Sequence, residues 1–176
     1  MISFAKKNYM NQKTISFNYQ EFEDASFLPT EERELVALSR QMTNSAYAPY
    51  SQFYVGAAVL LENGKVITGN NQENGAYPSG LCAERVAVFA ASSMYPGVPM
   101  KMIAVSAKST RVSIQEPVSP CGACRQVMLE YEILQNKPIK VLLSGEDGKV
   151  FAIEKVKDLL PLSFSGDDLK TTSPCC

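Results

Sequence analysis

Cys82-Ala83-Glu84, answered further along by Pro120-Cys121-Gly122-Ala123-Cys124, is the stretch on which fold and chemistry both turn. Each motif stands at the start of a predicted helix. Ala83, Ala87, Val88 and Ala91 share one side of a helix over 82–94, and Pro120 opens another over 121–134. Three cysteine thiolates are soft ligands for Zn²⁺ and leave the fourth tetrahedral position free for water, the mark of a catalytic rather than a closed structural zinc. Glu84 stands two residues after the first ligand, where a carboxylate can move protons between water and a substrate.

Outward from this pair the chain alternates helices and strands. Pro29-Thr30-Glu31-Glu32 starts a helix with acid in its first turn, and Leu35, Leu38 and Met42 carry it over 30–45. The apolar run Tyr54–Leu61 and the segment Val66–Gly69 flank Glu62-Asn63-Gly64-Lys65, whose Asn-Gly pair is a hairpin signal. Met102–Ala107, Pro138–Leu143 and Lys149–Ile153 read as further strands. The order predicts an α/β fold: a five-stranded mixed sheet with helices on both faces, a three-layer α-β-α sandwich. Residues 1–27 form an N-terminal extension whose order the sequence leaves open, 28–170 the catalytic domain, and 171–176 a C-terminal tail.

Composition narrows the chemistry. With 176 residues and 45% hydrophobic content the chain supports one core-bearing domain. Its formal charge of −1, with Lys and Arg dispersed, gives no basic stripe for a nucleic-acid backbone. No apolar run is long enough for a membrane span, and the start lacks a secretion signal, so a cytoplasmic protein is expected. Five cysteines, three of them at ligand spacing, make a poor disulfide framework, and Cys175-Cys176 read as inert. The chain has no histidine, which excludes hydrolases with a histidine base and metal sites built on imidazole. Proton transfer then falls to groups such as Glu84.

A single C-x-x-C is compatible with redox chemistry or half a zinc ribbon. Redox use needs no third cysteine, and a ribbon needs a fourth ligand. Three thiolates with an adjacent non-ligand Glu is the arrangement of zinc deaminases, which remove the amino group of a cytosine or adenine ring. Helix N-termini stabilise thiolates. Arg85 is either a hydrogen-bond donor to the ligand sulfurs or a surface cation; spacing leaves both open. Asn71, Glu73, Phe53 and Phe164 are, by spacing alone, loop polars and aromatics.

The chain resembles the cytidine deaminases, in their small, homotetrameric, three-cysteine branch. The likeness rests on Ala48–Ala58 (APYSQFYVGAA), Asn71–Pro78 (NQENGAYP), the two cysteine motifs with Arg125-Gln126, and Leu159–Phe164 (LLPLSF), and covers residues 28–170. It implies one Zn²⁺ per subunit on Cys82, Cys121 and Cys124, with Glu84 as proton shuttle. It also implies Asn71 and Glu73 on ribose hydroxyls, Phe53 near sugar and base, and Phe164 reaching into a neighbouring subunit to stack on the pyrimidine. The activity implied is hydrolysis of cytidine and 2′-deoxycytidine to uridine and 2′-deoxyuridine in pyrimidine salvage, with no nucleic-acid or membrane partner. The alternatives are a deaminase of another aminopyrimidine nucleoside, such as a blasticidin-type antibiotic, and a non-catalytic structural zinc module.

Overall fold

Side-chain parity along the strands explains the architecture. The computed structural model describes residues 10–169, so Cys175-Cys176 lie outside the described residues. Strands β2 (Phe53–Leu61), β3 (Val66–Asn70), β4 (Met100–Ser109), β5 (Lys140–Ser144) and β6 (Val150–Ile153) form the predicted mixed sheet. Odd residues Ala57, Val59, Ile103, Val105, Val141 and Leu143 pack against α2 (Ala83–Met94) and α3 (Gly122–Gln135). Even residues Ala58, Leu60, Met102, Ala104 and Leu142 pack against Leu35 and Val36 of α1 (Thr30–Met42). Burial on both faces is why these strands read as unbroken apolar runs.

The hairpin closes as its Asn-Gly signal predicts. Gly64 takes φ +79, and Leu60 pairs with Val66 across the turn. Strands β4 and β5 are parallel, joined through α3, while the other pairings are antiparallel.

One expectation is corrected: the sheet has six strands, in the order β1-β6-β5-β4-β2-β3. The added strand, β1 (Gln20–Phe22), pairs antiparallel with β6, Glu21 opposite Phe151. It comes from the segment assigned to the N-terminal extension. Ala25 and Leu28, just beyond it, are buried in the α1-side core. Gln-Glu-Phe carries no strand periodicity of its own; its partner is the backbone of β6, which composition does not reveal. Among the described residues no helix is long and apolar enough to cross a membrane.

Helix α2 sits close on β3 because position 69 is glycine. A Cβ there would stand 2.6 Å from the Ala87 nitrogen and 2.7 Å from the Ala83 carbonyl oxygen. Gly69→Val should therefore force the helix off the sheet and lower stability by about 1–3 kcal/mol, read from the urea midpoint. An unchanged midpoint would mean that the helix accommodates the side chain.

Candidate metal centre and active site

Two helix starts converge beside the ends of β2 and β4. Cys82 is the N-cap of α2 and Cys121 the N-cap of α3, and neither sulfur caps its own helix. Cys124 follows in the first turn of α3, fully buried. The Cys82 and Cys121 sulfurs are 3.8 Å apart and those of Cys121 and Cys124 3.4 Å, with all three within 4.8 Å of one another. Tetrahedral zinc with bonds of about 2.3 Å separates its sulfur ligands by about 3.8 Å, so the Cys82–Cys121 pair has that spacing and the Cys121–Cys124 pair is about 0.4 Å short of it. Among the described residues no fourth Cys, Asp or Glu joins the group.

The electrostatics of the trio anticipate a cation. The Cys82 thiol is lowered to about 5, first by a hydrogen bond from the Cys124 thiol and then by Arg85. Cys124 is pushed up, because it donates to Cys82 and is buried beside Glu84. The two shifts describe one event: the negative charge settles on Cys82 while Cys124 keeps its proton. A divalent ion removes the need for that proton. Arg85 donates from Nη2 to the Cys82 sulfur at 3.7 Å and to the Gly80 carbonyl oxygen at 3.4 Å.

Glu84 is 4% exposed. Burial raises its carboxyl above the usual range, and the neighbouring Cys82 charge adds to the effect. A carboxyl tuned upward is better matched to accepting and returning protons near neutrality. It lines a cavity of about 770 Å³ together with Cys82, Cys121, Arg85, Phe53, Asn71 and Glu73. Eight of the nine residues singled out from sequence are thus at the cavity or, for Cys124, immediately beneath it.

The polar residues of the cavity are already tied into the backbone. Asn71 accepts from the Val55 N–H (2.7 Å) and donates to the Phe53 carbonyl (2.9 Å), leaving one N–H and one lone pair of its amide. Glu73 Oε2 accepts from the N–H groups of Tyr50 (2.8 Å) and Ser51 (3.3 Å). Desolvation opposes ionisation of Glu73, but hydrogen bonds from Ser51 and Tyr50 prevail and hold its carboxyl below the usual range.

Phe164 is the exception. It stands outside this cavity, 57% exposed, with its carbonyl held by Gln126 Nε2 at 3.1 Å. Sequence reasoning also missed part of the wall: Tyr50, Tyr77, Val105, Ala107, Val118 and Ser119. The rings of Tyr50 and Tyr77 meet edge-on at 6.3 Å. Both tyrosines lie inside the two motif stretches quoted above, and Val105 and Ala107 belong to the odd face of β4. Those were the available signals.

The family model described as "Cytidine and deoxycytidylate deaminase zinc-binding region" matches residues 29–136. The chain belongs to this family. Both halves of the cysteine-glutamate constellation fall inside the match, while β1 precedes it. The cytidine deaminase of Sporosarcina psychrophila is 44% identical over 137 residues, covering 77% of this chain and 93% of that protein. That of Mycobacterium tuberculosis is 39% identical over 132 residues, covering 73% and 86%. The crystal structure of cytidine deaminase from Burkholderia pseudomallei aligns with a TM-score of 0.65 at 38% identity, over 78% of this chain and 100% of the other. Membership makes this a zinc-dependent deaminase fold, and the cysteine trio is placed to hold the zinc.

Proposed function

We propose that this protein hydrolyses cytidine and 2′-deoxycytidine to uridine and 2′-deoxyuridine, releasing ammonia. One observation carries the reading: a buried carboxylate, Glu84, shares a cavity of about 770 Å³ with Cys82 and Cys121 of the cysteine trio. Cys82, Cys121 and Cys124 hold the zinc, which when bound supplies a Lewis acid that orients and acidifies the attacking water. Glu84 accepts the proton of that water and delivers it to the ring nitrogen beside the amino-bearing carbon. It then takes the remaining proton of the added hydroxyl and passes it to the departing amino group as the C–N bond breaks, so water and cytidine become uridine and ammonia. Arg85 steadies the Cys82 sulfur by its guanidinium.

Glu73 presents its second carboxylate oxygen, and Asn71 its remaining N–H and lone pair, to the ribose hydroxyls. Phe53 flanks sugar and base. Phe164, which stands outside its own cavity, enters that of a neighbouring subunit and stacks on the pyrimidine, within the homotetramer that the family resemblance implies. A thiolate site of this kind belongs in the reducing cytoplasm, where the enzyme serves pyrimidine salvage.

Zinc-loaded protein incubated with either nucleoside should release ammonia with loss of the cytosine absorbance. Absence of turnover on both would contradict the reading. Phe164→Ala should raise KM on the order of tenfold, the range expected for losing one base–aromatic stack. Light scattering should give four chain masses of 19.3 kDa each. A monomer with unimpaired KM would refute the shared site.

A further inference from the structure

We propose that Arg125 is a positioning residue that ties the metal centre to the C-terminal segment. The inference rests on the metal-centre reading above and extends it to a residue outside the cavity. Arg125 follows Cys124 directly, in the first turn of α3. A cation at a helix N-terminus faces the positive end of the dipole, so its placement there needs a compensating interaction. Two supply it. Nε donates to the Pro120 carbonyl and Nη1 to the Leu159 carbonyl, each at 2.8 Å.

The first contact closes a loop around the ligands. Arg125 is bonded through its main chain to Cys124, and its side chain grips the carbonyl immediately before Cys121. The P-C-G-A-C turn is thereby held at both ends by one residue. The second contact reaches the end of the short helix Val156–Leu159, from which the chain runs on to Phe164.

Two other side chains of α3 grip the same segment. Glu132 accepts from the N–H groups of Val156 (2.7 Å) and Lys157 (2.9 Å), and Gln126 holds the Phe164 carbonyl. Of these three, only Arg125 also contacts the ligand turn. The planar fork of guanidinium donors spans both carbonyls at once, which the single head of lysine cannot do. Shifts of the C-terminal segment are thus transmitted to two zinc ligands, and loss of the ion loosens the segment.

The test is zinc transfer from loaded Arg125→Ala to a chromogenic chelator, paired with amide hydrogen exchange over residues 157–164. Zinc release should be at least tenfold faster than from the parent, with faster exchange in the segment. Gln126→Ala, which frees the Phe164 carbonyl alone, should release zinc at the parental rate. Faster exchange with zinc release within twofold of the parent would make Arg125 a structural tether only and overturn the proposal; so would parental behaviour in both readouts. Should Arg125→Ala be insoluble, Arg125→Lys carries the same measurements, with faster zinc release again required. Zinc release is read without substrate, so failure of the deaminase reading, seen as a parent inactive on cytidine, is distinguished from failure of this one.

Discussion

Glu84→Gln is expected to keep its zinc and bind cytidine while losing about 10³- to 10⁴-fold in kcat. The amide has nearly the volume of the carboxylate, so the buried position 84 stays filled and the cysteine trio is undisturbed. What disappears is the ability to carry the two protons of the attacking water in turn, the first to the ring nitrogen and the second to the departing amine. Burial beside the Cys82 charge lifts the carboxyl of Glu84. Glu73 lines the same cavity but is bound to the Tyr50 and Ser51 backbone, so it cannot substitute. Single-turnover kinetics and metal analysis of the purified variant decide the matter. Undiminished kcat would remove Glu84 from the proton path, and loss of zinc would make it a ligand.

Cys124→Ala is expected to have a broader effect, abolishing both stoichiometric zinc and detectable turnover. The fully buried Cys124 donates to Cys82 and sits between the metal site and the core. Without it two thiolates remain, one exposed, too few to hold the ion against competing chelators. Metal binding favours the folded state by mass action, so the variant should also melt lower, by on the order of 10 °C relative to zinc-saturated parent. Calorimetry with and without added zinc separates the contributions. The parent's Tm should fall on chelation and recover on zinc addition, whereas the variant's should respond to neither. A Cys124→Ala protein with full zinc content would show that the trio is not the ligand set.

Much of this was legible in the sequence because the chemistry demands particular residue types. Cys82, Glu84, Cys121 and Cys124 could be read at sight: three soft ligands and a spare carboxylate leave few alternatives in a chain without histidine. The apolar runs of β2 and β4 set among helical stretches, and Asn63-Gly64 between β2 and β3, likewise foretold the layers and the hairpin. Strand β1 was hidden, since three residues paired through backbone leave no pattern. The hydrogen bonding of Asn71 was hidden for a related reason. Which of its amide atoms are already committed depends on where β2 runs 16 to 18 residues earlier in the chain. Arg125 shows the same limit from the other side: its two carbonyl partners lie 5 and 34 residues away and carry no side-chain signature.

The central claim is that three cysteines of this chain hold one catalytic zinc beside a buried glutamate. Its most direct test is elemental analysis of freshly purified parent protein, coupled to cytidine turnover before chelation, after chelation and after zinc is restored. One zinc per chain is expected, with ammonia release lost on chelation and regained with the metal. Zinc-free protein that deaminates cytidine, or fully loaded protein that does not, would contradict it.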